Sequence, residues 1–167
     1  SDVYKRQVLG SPVAGIAKDE IIDATPAIQR IQEIFTDDEF QNLPRKFKSA
    51  ISGNARQDVV HEINDLAFIG VEHPELGPGF ECYVGGGLST NPMLARSLGA
   101  FITLEQVPEV WANVVRIFRD YGYRRLRNRA RLKFLVAEWG VEKFREILEE
   151  DYLGSVSYTH LRAHETV

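Results

Sequence analysis

Lys46 and Lys48 stand two residues apart in Leu43-Pro44-Arg45-Lys46-Phe47-Lys48-Ser49-Ala50, and Arg45 adds a third cation within four residues. The composition of this segment predicts a strand ending near Ser52-Gly53-Asn54. Successive side chains of a strand point to opposite faces, so Lys46 and Lys48 share one face while Arg45 and Phe47 share the other. Two ammonium groups held side by side repel each other, and a fold accommodates them best with something anionic between them. The chemistry on offer is capture of a small oxyanion or of a polycarboxylate cofactor. A solvated edge strand, whose lysines block pairing with other chains, fits the same spacing.

A second cationic stretch comprises Arg119, Arg124, Arg125, Arg127, Arg129, Arg131 and Lys133, seven cations in fifteen residues. Arg127 and Arg131 are four apart and could share a helix face. The planar guanidinium fork suits carboxylates and phosphates because it binds two oxygens at once. Three uses compete: a solvated face paired with acids, RNA binding, and the wall of a cavity for a polyanionic cofactor. Aromatic interleaving of the kind that stacks single-stranded bases is limited to Tyr121, Tyr123 and Phe134. Gly85-Gly86-Gly87 permits either a tight bend or very close approach by a ligand or another chain. Its spacing is not a dinucleotide fingerprint, and no helix is expected to open at the third glycine.

The elements that must carry these residues follow from punctuation and periodicity. Gly10-Ser11-Pro12-Val13-Ala14-Gly15 predicts a loop. A first helix is expected with Thr25 as N-cap and Pro26 at the first position, its apolar side Ile28, Ile31, Ile34 and Phe35. Leu66–Val71 predicts a buried strand, and His73–Gly79 a loop leading to its hairpin partner, Phe80–Val84. A long amphipathic helix is expected from Leu104 to Tyr121, burying Val107, Val110, Trp111, Val114, Val115 and Phe118. Pro108 falls in its first turn and Gly122 ends it. Two shorter helices, Arg129–Trp139 and Val141–Tyr152, are split by Gly140, with Phe144, Ile147 and Leu148 apolar in the second. This order of elements predicts an α+β fold. The composition shift at Gly77-Pro78-Gly79 predicts a boundary between two units.

The chain has 167 residues, 44% hydrophobic and 26% charged, as in ordinary globular proteins. Its net charge of −4 and pI near 5.6 disfavour a generic nucleic-acid binder. No apolar run approaches the length of a membrane span. The single cysteine, Cys82, can neither close an internal disulfide nor hold an iron–sulfur cluster alone, and is expected to fill apolar space. Residues 1–7 and 155–167 resemble translated sequencing-adapter read-through, so the native chain is expected to run from Val8 to about Gly154 within a longer protein. His160 and His164, four apart in that tail, are accordingly not taken as metal ligands.

Together, Val8–Ile16, the Leu43–Lys48 segment and His61-Glu62-Ile63-Asn64-Asp65-Leu66-Ala67-Phe68 resemble the sirohaem-binding part of the nitrite/sulfite reductases. Val84-Gly85-Gly86-Gly87-Leu88-Ser89-Thr90-Asn91-Pro92 and Arg119–Phe134 are similar to the same family's second ferredoxin-like half-domain. The likeness covers essentially everything between the two end segments and is strongest to ferredoxin-dependent enzymes of the actinobacterial type. It implies a partial sirohaem-binding domain at residues 8–78 and a ferredoxin-like half-domain at 79–154.

That resemblance implies six-electron reduction of sulfite or nitrite at a sirohaem coupled to a 4Fe–4S cluster, with ferredoxin as donor. Lys46 and Lys48 match the family's two active-site lysines, which bind the oxyanion and stabilise charge and protons. Arg45, Asn64, Arg127, Arg129 and Arg131 are expected to serve the many carboxylates of sirohaem. Sulfite reductases of the family typically carry Arg-Lys-Phe-Lys, whereas plant-type nitrite reductases typically carry Asn at the second lysine. Lys48 therefore favours sulfite. The family's four cluster cysteines lie beyond this segment, so the chain alone is expected to be inactive. A cytoplasmic, monomeric parent without membrane or nucleic-acid partners is the corresponding expectation; the alternatives are nitrite reductase and a non-catalytic basic binding module.

Overall fold

The computed structural model describes residues 6–11, 14–16, 18–54, 61–88, 91–153 and 159–160. Among them, six strands form one mixed sheet in chain order: β1 (Arg6–Gly10), β2 (Phe47–Ser52), β3 (Leu66–His73), β4 (Gly77–Val84), β5 (Arg96–Ile102) and β6 (Thr159–His160). The first three run parallel, and β3 through β6 pair antiparallel. Helices α1 (Thr25–Ile34), α2 (Val107–Tyr121), α3 (Leu132–Trp139) and α4 (Val141–Ile147) contribute to one apolar core with the sheet. The α+β expectation is met. No helix among the described residues is long and apolar enough to cross a membrane.

Alternation sorts the strand residues. Phe47, Ile51, Leu66, Phe68, Phe80, Cys82 and Val84 join the helices in the main core, whereas Ala50, Ala67 and Ile69 form a small cluster with Tyr83. Trp111 is the centre of the main core. Its ring stacks on Phe35 at 5.6 Å and meets Phe47 edge-on at 6.5 Å, while its indole N–H donates to Ser49 Oγ at 3.1 Å. The predicted apolar stripe of α2 is buried throughout. Cys82 is fully buried in the same core, and burial pushes its thiol well above the ordinary range.

Several boundaries differ from expectation. Ala24, not Thr25, is the N-cap of α1; Thr25 instead donates its N–H and hydroxyl to Asp23 Oδ1, at 3.0 and 2.6 Å. The long helix starts at Val107, after a separate 3-10 turn at Leu104–Gln106 that Thr103 and Gln106 close as a capping box. Arg127–Arg129 form another 3-10 turn, and α3 starts only at Leu132 because Arg131 is extended. The last helix is α-helical to Ile147 and continues as a π turn over Leu148–Tyr152. Strand β2 starts at Phe47, leaving Arg45 and Lys46 in the bend before it. It lies between β1 and β3, so it is not an edge strand.

Gly77-Pro78-Gly79 lies in β4, paired with Val71–His73, and residues on both sides of it line the same core. Gly10, expected in a loop, closes β1. Strand β6 pairs its Thr159 and His160 with Phe101 and Ala100, while His164 lies outside the described residues.

Candidate functional site

The sheet register gathers the chemistry-bearing residues at one end. Ser49 pairs with Leu66, Leu66 with Val84, and Val84 with Arg96. Lys48, Asp65 and Gly85 therefore follow one another at the same margin, just outside those pairs. The bend Pro44–Lys46 enters from one side of this margin, and the segment Arg127–Lys133 closes it from the other. Arg45 Nη1 donates to the Arg127 carbonyl at 2.9 Å, joining the two cationic stretches directly.

Asp65 is the hinge pin of this arrangement. Its carboxylate is fully buried. Oδ2 accepts the Lys48 backbone N–H at 2.9 Å and Arg131 Nη2 at 2.8 Å, and Oδ1 accepts Arg131 Nε at 3.2 Å. The Asp65 carbonyl accepts the Gly85 N–H at 2.9 Å. Burial pushes the carboxyl upward, against the pull of the Arg131 guanidinium and the Lys48 amide.

The triple-glycine run packs on the turn His61–Ile63 that precedes β3. Gly86 donates its N–H to the Asn64 carbonyl at 3.0 Å. A Cβ on Gly86 would stand 2.3 Å from the Glu62 carbonyl oxygen, so this residue permits a close approach within the chain. Gly87 is open to the site instead: its nearest side-chain neighbours are Lys133 Cδ, 3.2 Å from an added Cβ, and Arg131 Nη2 at 3.7 Å.

Lys133 is fully buried, with Nζ donating to the Asn91 carbonyl at 2.7 Å. Burial, followed by the positive charges of Arg131 and Arg45, holds its pKa below the ordinary lysine value, while Asp65 opposes them. Lys46 is exposed and Lys48 half-buried. Neither ammonium is in a salt bridge or hydrogen bond with the described residues.

The expected site residues are thus largely brought together, in different states. Arg45, Lys46, Lys48 and Asn64 lie on the two segments that lead into β2 and β3 at this margin, with Asn64 buried and its carbonyl holding Gly86. Arg127 and Arg129 are exposed on their 3-10 turn. Arg131 is buried in its two-point bond to Asp65, so Arg127 and Arg131 do not share a helix face. The remainder of the basic stretch faces elsewhere. Arg116 and Arg119 pair with Glu39 at 2.7 and 3.1 Å, and Arg119 also pairs with Asp120. Arg124 holds Asn42. The basic stretch is therefore divided: Arg119 pairs with surface acids at one end, and Arg131 is bonded to buried Asp65 at the other.

Sequence reasoning gave Asp65 no role of its own and counted Lys133 only as one cation of the basic stretch. Each carried a signal: Asp65 immediately precedes a buried apolar strand, and Lys133 is a cation in the first turn of an otherwise apolar helix.

A polyanion fits this margin. Cations converge with a single buried carboxylate among them, and that carboxylate is neutralised by Arg131, which leaves Lys133 under the field of like charges. A thiolate-held cluster has no comparable donor set: the one cysteine is in the core, and no group of three His, Cys, Asp or Glu side chains is gathered among the described residues.

Residues 3–156 match the sequence model of the nitrite and sulphite reductase 4Fe-4S domain. The chain belongs to that family. Curated relatives include ferredoxin sulfite reductase of Mycobacterium tuberculosis, 62% identical over 149 residues, which cover 89% of this chain and 26% of the relative. Ferredoxin sulfite reductase 2 of Mycolicibacterium paratuberculosis is 61% identical over the same shares. Ferredoxin–nitrite reductase of Synechococcus elongatus is more distant, at 38% identity over 154 residues, 88% of this chain and 30% of that one. The chain therefore spans about a quarter of the length of the sulfite reductases it matches. Among solved structures, the Mycobacterium tuberculosis NirA protein superposes with a TM-score of 0.89 at 58% identity, over 93% of this chain and 28% of that one. Dissimilatory sulfite reductase I shares the fold alone, with a TM-score of 0.65 at 13% identity.

Proposed function

We propose that this chain is the oxyanion-binding segment of a cytoplasmic, monomeric, ferredoxin-dependent assimilatory sulfite reductase that converts sulfite to sulfide. The observation that carries this reading is the placement of Lys46 and Lys48 at the cationic margin, with their ammonium groups unpaired within the described chain. Arg45, Arg127 and Arg129 would hold the carboxylates of sirohaem, and Asn64 would shape the site through Gly86. When bound, sirohaem and a 4Fe–4S cluster held by the rest of the parent protein would pass to the substrate the six electrons that ferredoxin donates.

This chain's own part is electrostatic and protonic. Near neutral pH sulfite is divided between monoanion and dianion, and the dianion gains from each of two cations. The two ammonium groups would also be available to donate protons as S–O bonds break. Lys46, just before β2, is exposed, whereas Lys48 is half-buried within the strand.

Nitrite is the second reading, supported by the relatives that carry that name. A non-catalytic basic module is the third; it predicts salt-sensitive binding of nucleic acid by the chain. The test is made on the full-length protein that contains this segment, purified from a sirohaem-producing host. Sirohaem absorption and sulfite turnover are expected, with Lys46→Ala and Lys48→Ala each lowering turnover while leaving sirohaem content intact. A full-length protein without sirohaem refutes the proposal.

A further inference from the structure

We propose that Asp65 is a positioning residue that fixes Lys48 relative to Arg131 and the glycine run, and thereby sets the oxyanion affinity of the lysine pair. The inference rests on reading Lys46 and Lys48 as the oxyanion-binding pair.

Four bonds from this one residue join three distant pieces of chain. The side chain takes the Lys48 N–H and two nitrogens of Arg131, and the carbonyl takes the Gly85 N–H. A carboxylate is suited to this because both oxygens are acceptors. An amide offers one acceptor and one donor, so it would turn a donor toward either the Lys48 amide or the guanidinium. The bond to Lys48 is made to the main chain and leaves its ammonium free for an anion.

Charge explains why Arg131 is present as well. An unpaired Asp65 carboxylate would draw the lysine ammonium groups toward itself and repel an incoming oxyanion. The two-point bond to Arg131 cancels that charge locally while the geometry is retained. Burial of the whole pair is costly unless both partners stay, so the two residues act as a unit. Asp65 thus holds the site without competing for it.

The experiment is a double-mutant cycle in the full-length reductase that contains this segment, using Asp65→Asn, Lys48→Ala and the pair together. KM and kcat for sulfite are measured, with sirohaem absorption as the check on cofactor loading. Loss of one charge-assisted bond predicts a KM raised about tenfold by Asp65→Asn, with a smaller change in kcat. The double variant should match Lys48→Ala alone. Effects that multiply, or an unchanged KM in Asp65→Asn, overturn the proposal.

Should Asp65→Asn fail to fold, Arg131→Lys keeps the cation and removes the two-point fork, and the same KM effect is expected. Amide hydrogen exchange of the peptide containing Lys48 gives a readout independent of turnover. It should accelerate in Asp65→Asn. A wild-type enzyme inactive on sulfite would count against the parental reading. Asp65 would then be judged on exchange alone, where unchanged protection at Lys48 refutes its role.

Discussion

Replacing Gly86 with alanine tests whether the glycine run is locked against the turn that precedes β3. The added Cβ would lie 2.3 Å from the Glu62 carbonyl oxygen and 2.7 Å from that of Asn64. Both obstacles are backbone, so no rotamer change relieves them. Separating the segments to ordinary contact needs a shift of about 1 Å. That shift disturbs two bonds, Gly86 N–H to the Asn64 carbonyl at 3.0 Å and Ala95 N–H to the Glu62 carbonyl at 2.8 Å. Two bonds at about 1 kcal/mol each, with about 1–3 kcal/mol for overpacking, give a loss of roughly 3–5 kcal/mol. For a chain of this size the melting temperature should fall by about 6–20 °C.

Urea unfolding followed by the emission of buried Trp111 provides the assay. Gly77→Ala is the control: its φ is +78° but nothing lies within 4 Å of an added Cβ, so only conformational strain of about 1–2 kcal/mol is expected. If Gly86→Ala is no more destabilising than Gly77→Ala, the close approach is not a constraint on this fold and the reasoning fails.

Three other outcomes are expected. Lys133→Met should raise the unfolding free energy by about 1 kcal/mol, since it removes a buried cation disfavoured by burial and like charge; a loss of stability would show that its bond to Asn91 outweighs desolvation. Cys82 should resist iodoacetamide until denaturant is added, because its thiol is buried and its pKa raised; labelling of the native chain contradicts its placement. Hydrogen bonds from Arg116 and Arg119 lower the Glu39 pKa below 4.5, and Arg119 likewise lowers that of Asp120 below 3.8. Depressed carboxylates stabilise the fold above their unfolded pKa values and lose that contribution as pH falls through the folded ones. Stability should therefore decline from about pH 4.5 downward, and the decline should be smaller in Glu39→Gln; an identical acid profile for that variant refutes the assignment.

Periodicity made the α2 stripe legible because all of its apolar residues are buried in the one core shared by the sheet and the helices. The β3–β4 hairpin was legible for a similar reason, through apolar runs flanking His73-Pro74-Glu75-Leu76-Gly77. Strand β5 was not: Arg96-Ser97-Leu98-Gly99-Ala100-Phe101-Ile102 is short of β-branched residues, and its conformation comes from pairing with β4. The start of α3 was placed too early because Arg127, Arg129 and Arg131 fit a helix locally. Arg131 is instead held extended where its side chain binds Asp65. That tertiary bond has no sequence periodicity.

The site shows the same division. Lys46 and Lys48 were visible as an unusual local pairing, although only Lys48 lies within the strand. The division of the basic stretch was invisible, because Glu39, Asp120 and Asp65, which decide it, come from three separate parts of the chain. Lys133 looked like one cation among seven, and the structure instead buries it beside Gly87.

The central claim is that the second lysine of the pair tunes the site toward a dianion. The direct measurement is kcat/KM for sulfite and for nitrite in the full-length enzyme before and after Lys48→Asn. One unit charge at about 4 Å from half-buried Lys48 contributes roughly 1–4 kcal/mol between the dielectrics of water and a protein surface. Sulfite carries one more charge than nitrite, so the sulfite-to-nitrite ratio should drop by at least about fivefold. An unchanged ratio in a variant that retains its sirohaem would contradict the account.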